Sequence, residues 1–205
     1  MIILGLTGSI GMGKTTTASL FRKFDIPVHD SDAVVHALMA RGGEAVEPVA
    51  TLFPDALKAG SIDRPALGNI VFNDPAALDL LESVLHPLVR KHERQFLANA
   101  ARRHDALVLL DIPLLFETGG EQRCDAVTVV TAPAFIQRQR VLRRPGMTPD
   151  RFAAILARQI PDADKCFYAD FLVPTGLGVA FSLRVVRDIV RVAQDIPANR
   201  WGPAS

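Results

Sequence analysis

Residues 8–15 read Gly8-Ser9-Ile10-Gly11-Met12-Gly13-Lys14-Thr15, the G-x-x-x-x-G-K-[ST] spacing of a phosphate-binding loop. That spacing constrains the fold, because such a loop works only between a buried strand and the start of a helix. Both flanks fit. Ile2-Ile3-Leu4-Gly5-Leu6 is an apolar run suited to a parallel strand covered on both faces. Thr15 to Phe21 opens a helical pattern. Glycines let the backbone wind tightly, so that successive N–H groups point inward at phosphate oxygens. The helix adds its positive N-terminal end to the same anion. Lys14 has the reach for β- and γ-phosphates, and the Thr15 hydroxyl suits Mg²⁺. By composition alone, a chance match in a chain this long is on the order of one in a hundred. The chain is therefore expected to bind a nucleoside triphosphate through Gly8, Ile10, Gly11, Met12, Gly13, Lys14 and Thr15.

A length of 205 residues leaves room for one α/β core with an insertion or small second lobe, and hardly for two independent domains. Hydrophobic residues at 49% and charged residues at 22% give an ordinary globular balance. A net charge of +1 supplies no global field toward nucleic acid or an anionic membrane, so neither is expected as a partner. Cys124 and Cys166 have neither C-x-x-C spacing nor a histidine pattern, and read as reduced thiols in or near the core. The opening stretch has no basic leader or small-residue cleavage site, and the longest apolar runs are too short for a bilayer. The expectation is a soluble, cytoplasmic protein with no obligate protein partner.

Further apolar runs alternate with helical patterns: Ile26 to His29, Ala106 to Leu110 closing on Asp111, Ala126 to Val130, and Asp170 to Val173. Strands interleaved with helices predict a parallel sheet with helices on both faces. Residues 1–30, 106–135 and 160–196 form the expected nucleotide-binding core. Residues 31–105 are too long for one crossover and read as a helical acceptor-binding insertion, broken at Gly42-Gly43, Gly60 and Asn73-Asp74-Pro75. Leu78, Leu81, Leu85, Leu88 and Val89 follow helical spacing and are assigned to its core. Residues 136–159 carry Arg138, Arg140, Arg143, Arg144, Arg151 and Arg158 around Pro145-Gly146. They form either a solvated helix face or an arginine-rich lid over phosphates. A last helix is predicted over 181–195, with a tail at 197–205.

Ligands in open α/β sheets lie at the carboxyl ends of strands. Asp30-Ser31-Asp32 stands at the end of the second strand and Asp111 at the end of the third. A carboxylate there can hold Mg²⁺ or take the proton of an attacking hydroxyl. Asp32 fits the second role, and equally suits the N-cap of a helix from Ala33 to Met39. Asp111 fits a Mg²⁺-binding carboxylate, and equally a turn-forming residue before Pro113.

Several segments together resemble the dephospho-CoA kinase family. They are Gly5 to Thr15, Asp30-Ser31-Asp32, Asp63-Arg64-Pro65-Ala66-Leu67 with Ile70-Val71-Phe72, and Leu85-His86-Pro87-Leu88. Asp111-Ile112-Pro113-Leu114-Leu115-Phe116-Glu117, then Gln139-Arg140, Arg144, Thr148, Gln159 and Ala169-Asp170, continue the match along nearly the whole chain. The resemblance implies an α/β P-loop kinase fold: a five-stranded parallel sheet, a helical substrate-binding insertion and a small helical lid. It implies transfer of the ATP γ-phosphoryl group to the ribose 3′-hydroxyl of dephospho-CoA, with Mg²⁺ as cofactor. By the same resemblance Asp32 is the general base, and Lys14 and Arg140 stabilise the transferring charge. Arg144 joins the ATP site, and Arg64, His86, Leu114 and Glu117 join Asp32 toward the acceptor. Family members usually carry Asn near Thr175, where a contact with adenine is accordingly in question. Another small-molecule P-loop kinase, such as a nucleoside monophosphate kinase, would use the same machinery. A GTPase switch is disfavoured, since neither D-x-x-G nor N-K-x-D occurs.

Overall fold

The computed structural model describes residues 1–72 and 74–199. In chain order it contains β1 (Ile2–Thr7), α1 (Lys14–Arg22), β2 (Val28–Asp30), α2 (Ser31–Met39) and α3 (Val46–Leu52). Two short strands follow, β3 (Leu57–Lys58) and β4 (Ser61–Ile62), then α4 (Arg64–Phe72) and α5 (Pro75–Arg102). The remainder is β5 (Leu107–Asp111), β6 (Ala126–Thr131), α6 (Ala134–Leu142), α7 (Pro149–Ala157), α8 (Asp162–Phe167), β7 (Phe171–Pro174) and α9 (Val179–Ala193). The chain divides into two compact units, Met1–His29 with the chain from Ala100 on, and Asp30–Asn99.

The apolar runs pair as their hydrophobicity demands. They build a five-stranded sheet in the order β2-β5-β1-β6-β7, with β1 parallel to both β5 and β6, and β6 parallel to β7. Every residue of β1 and β5 is buried, which explains the absence of polar alternation in either sequence. The core of this unit joins Leu4, Leu6 and Leu109 of the sheet to Leu20 and Phe21 of α1 and Val186 and Ile189 of α9. Ser182, Val186, Ile189 and Ala193 form the buried stripe of α9, so the predicted C-terminal helix lies close to its expected span. Cys124 is buried, Cys166 is half-buried, and both are free thiols. Burial, then the Asp162 carboxylate, pushes the Cys166 thiol above its usual range, which keeps it protonated.

The second unit is not purely helical, contrary to expectation. Beside its helices β3 and β4 pair antiparallel, Leu57 opposite Ile62 and Lys58 opposite Ser61. Ala59 (φ 50°) and Gly60 (φ 78°) both take left-handed conformations, so Gly60 makes a two-residue hairpin turn where the sequence suggested a helix break. The core here gathers Leu38, Val49, Phe53, Leu67, Leu81 and Leu85, with Leu88 and Val89 packed against it and Leu78 half-buried. Helix α5 runs unbroken through Pro87 for 28 residues. Among the described residues no helix is long and apolar enough to cross a membrane. Asn73 and residues 200–205, which include the predicted break and most of the predicted tail, lie outside the described residues.

One local assignment changes. Helix α2 begins at Ser31, and its N-cap is Asp30, whose Oδ1 accepts from the Ala33 N–H at 2.9 Å. Asp32 is therefore not the cap. It sits inside the first turn, exposed, with its carboxylate unengaged by any described residue. Asp30→Ala should cost about 1 kcal/mol of stability. Asp32→Ala should lose only the helix-dipole contribution, a few tenths of a kcal/mol. Urea unfolding of the two variants checks the order, and a larger loss at Asp32 would reverse the assignment.

Candidate active site

The phosphate loop leaves β1 and is wound so tightly that side chains are excluded at its crest. Gly11 has φ 79°, and a Cβ there would lie 2.5 Å from Val141 Cγ2 of α6. Gly13 occupies the N-cap position of α1 without any side-chain cap, so the first N–H groups of the helix face outward unobstructed by a cap. The loop carbonyls turn the other way and are met by donors from distant segments. Gln137 Nε2 donates to Ile10 O at 2.9 Å, and Arg140 Nη1 donates to Gly11 O and Met12 O at 3.4 Å each. The Thr175 hydroxyl donates to Met12 O at 2.6 Å. The Ile10 N–H is itself held by Gln159 Oε1 at 3.1 Å. Ile10 is thus pinned on both sides, by a glutamine from α6 and a glutamine just beyond α7.

Lys14 Nζ lies 2.6 Å from Asp111 Oδ1, and the two side chains are 14% and 3% exposed. A pair this sheltered from solvent holds the ammonium in a defined place, so Asp111 at the end of β5 orients Lys14. The Thr15 hydroxyl is exposed in the first turn of α1 and unengaged by any described residue, whereas Thr17 and Ser19 bond back to Gly13 O and Thr15 O. A hydroxyl and a carboxylate are hard oxygen donors and fit Mg²⁺, which takes one or two protein ligands and completes its shell with phosphates and water. No group of three or more His, Cys, Asp or Glu side chains able to hold a metal occurs among the described residues.

The arginines of 136–159 are not equivalent. Arg140, in the last turn of α6, is half-buried and bonded through both terminal nitrogens: Nη1 to Thr175 Oγ1 and Nη2 to Thr175 O, each at 2.9 Å. Arg138, Arg143, Arg144, Arg151 and Arg158 are exposed, and Arg151 bonds only its own turn at Gly146 O. Helix α6 lies against the loop rather than apart from it, so the expected lid starts from a helix that serves as a wall of the nucleotide site.

Glu117, which the resemblance assigns to the acceptor, also has work within the fold. Its Oε1 lies 2.7 Å from Nζ of Lys165, whose side chain is 0% exposed, and it also accepts from the Ile160 N–H at 3.0 Å. A buried ammonium requires an opposing charge, and Glu117 supplies it. Leu114 is exposed just beyond β5. Arg64 is exposed at the start of α4, and His86 is exposed on α5, next to Pro87. Sequence reasoning missed Gln137 and Lys165, named Gln159 only as part of a pattern, and met Thr175 only as a departure from the Asn usual in the family. Their partners lie up to 163 positions away, and no local periodicity encodes such pairings.

The dephospho-CoA kinase family model matches residues 2–177. The chain belongs to the dephospho-CoA kinase family. A relative from Paramagnetospirillum magneticum, a dephospho-CoA kinase, is 61% identical over 80% of this chain and 78% of its own length. Another from Rhodospirillum rubrum is 53% identical over 98% and 95%. The crystal structure of a Thermus thermophilus protein superposes with a TM-score of 0.81 at 36% identity, covering 93% of this chain and 96% of that one. This member of the family is thus an ATP-dependent phosphotransferase built on the P-loop kinase fold.

In this kinase the Lys165–Glu117 pair yields a stability prediction. Glu117→Gln leaves the buried ammonium unanswered and should cost about 3–5 kcal/mol. Adding Lys165→Met should recover most of that loss, because both charges are then gone. Urea unfolding of the single and double variants measures both quantities, and a loss below about 1 kcal/mol for Glu117→Gln would reduce the pair to surface rank.

Proposed function

We propose that the chain transfers the γ-phosphoryl group of ATP to the ribose 3′-hydroxyl of dephospho-CoA, in the cytoplasm and with Mg²⁺. The observation that carries the reading is the loop at residues 8–15. Its carbonyls are drawn outward by Gln137, Arg140 and Thr175, while α1 begins behind it with no side-chain cap. Such a loop cradles phosphates with its N–H groups, and family membership names the acceptor.

Phosphoryl transfer asks little covalent chemistry of a protein and much positioning of charge. Gly8, Ile10, Gly11, Met12 and Gly13 form the cradle. The Ile10 N–H is given to Gln159 and the Met12 N–H to Ser9 O, so that these two residues shape the loop while the glycines bring the backbone close to the phosphates. Lys14, presented by Asp111, neutralises charge on the β- and γ-phosphates. Arg140 adds a second fixed cation at the same loop, and Arg144 extends the ATP site. Thr15, with Asp111 as a further oxygen, would hold Mg²⁺, which neutralises phosphate charge when bound. Asp32 takes the proton of the attacking hydroxyl as its oxygen bonds to the γ-phosphorus and the bond from that phosphorus to the bridging oxygen breaks, with ADP as the leaving group. Supporting this role, Asp30 does the capping, and the Asp32 carboxylate is exposed and unengaged by any described residue. Arg64, His86 and Leu114 are exposed side chains available to the acceptor.

Asp32→Asn keeps the shape of the side chain and removes its basicity. Product formation from dephospho-CoA and Mg-ATP should fall by about 10²–10⁴ with ATP binding retained by calorimetry. Full activity would refute the base assignment. Among the arginines, Arg140→Ala should lower kcat more than it raises the ATP KM, because a cation meeting the γ-phosphoryl during transfer acts on the transition state. Arg151→Ala should be nearly silent. Steady-state kinetics decide, and equal losses at both positions would make the arginine cluster a diffuse positive face.

A further inference from the structure

We propose that Thr175 is a positioning residue for phosphoryl transfer, its hydroxyl tying the phosphate loop to the guanidinium of Arg140. The inference rests on the reading that Arg140 meets the transferring group. A threonine hydroxyl has one proton to donate and lone pairs to accept with, and both capacities are used here. The proton goes to Met12 O at 2.6 Å, and Thr175 Oγ1 in turn accepts from Arg140 Nη1 at 2.9 Å. Arg140 Nη2 donates to the Thr175 carbonyl, also at 2.9 Å. One residue therefore grips both arms of the guanidinium, which fixes the plane of the group as well as its place.

Thr175 is itself immobilised. It is buried, its N–H donates to Thr131 O at the end of β6 at 2.9 Å, and it follows directly on β7. Its Oγ1 stands 3.2 Å from where a Cβ on Gly13 would be, so the side chain also backs the last turn of the loop. The sheet thus sets Thr175, and Thr175 sets two things at once: the direction of the Met12 carbonyl and the orientation of Arg140. A residue that acts through another group in this way governs how well charge is placed in the transition state more than how tightly ATP is held.

The test uses Thr175→Val, which keeps the branched shape and removes both hydrogen bonds, and Thr175→Ser, which keeps the hydroxyl. With Mg-ATP and dephospho-CoA, Thr175→Val should lower kcat by about 10- to 100-fold, the size of a lost hydrogen bond to a charged group. ATP affinity by calorimetry should change by less than about threefold, and Thr175→Ser should restore kcat to within about threefold of the parent. In the Arg140→Lys background, where the two-armed grip is already gone, Thr175→Val should cost clearly less than in the parent, because only its bond to Met12 O remains to be lost. A kcat within twofold of the parent for Thr175→Val, a Ser variant as slow as the Val variant, or additive losses in the double variant would each overturn the proposal. So would an ATP affinity that falls as far as kcat, since the hydroxyl would then serve loop folding alone. If the parent chain itself shows no turnover that depends on dephospho-CoA, the functional reading fails instead, and the two failures are told apart in the same assay.

Discussion

A backbone that converges its N–H groups on an anion must turn its carbonyls somewhere else, and in this protein those carbonyls point into protein. A carbonyl removed from water needs a donor. Ile10, Gly11 and Met12 find theirs in Gln137, Arg140 and Thr175, which come from α6 and from the end of β7. Much of the nucleotide-binding unit follows from this demand. Helix α6 must lie close enough for Gln137 to reach Ile10, which is why Val141 sits where a side chain on Gly11 would stand. Strand β7 must end level with β6 so that Thr175 arrives beneath Met12, and the register pairing Thr131 with Pro174 achieves that.

Charge placement follows the same economy. Two lysines of this unit are sheltered from solvent, and each is answered by one carboxylate at close range: Lys14 by Asp111, and Lys165 by Glu117. The consequences differ because the surroundings differ. Lys14 stands at the start of α1, beside the loop, where a cation can turn to a phosphate. Lys165 is fully enclosed on α8, and its partner Glu117 also holds the backbone of Ile160, next to the Gln159 that pins the Ile10 N–H. The first pair presents a cation, whereas the second braces the segment that steadies the loop.

Residue type alone decided none of these roles. Asp30 and Asp32 are both carboxylates at the end of one strand, yet the helix starts at Ser31, so only Asp30 can reach the Ala33 N–H. Six arginines in one stretch look alike in sequence, and only Arg140 falls on the face of α6 turned to the loop. The Ala59-Gly60 turn shows the converse limit, since a glycine between polar residues signals a break without saying whether a helix ends or a hairpin turns.

The sequence by itself determined the parts of this protein whose physics is local. A phosphate loop is a contiguous run of backbone, so eight consecutive residues announce it. Buried parallel strands are short apolar runs, so β1, β5 and β6 were legible to within a residue or two, as was the amphipathic stripe of α9. The ordered series of motifs along the chain was enough to point to the kinase family. Only the tertiary structure decided which side chains complete the loop. Gln137, Gln159 and Thr175 reach it across 127 to 163 positions, through bonds whose existence depends on strand register and helix orientation. The burial of Lys165 belongs to the same class, because a lysine in a short polar helix looks exposed until the sheet and the segment after β5 close around it. Hydrogen bonds between distant segments carry no period and no spacing, and for that reason they were invisible until the chain was folded.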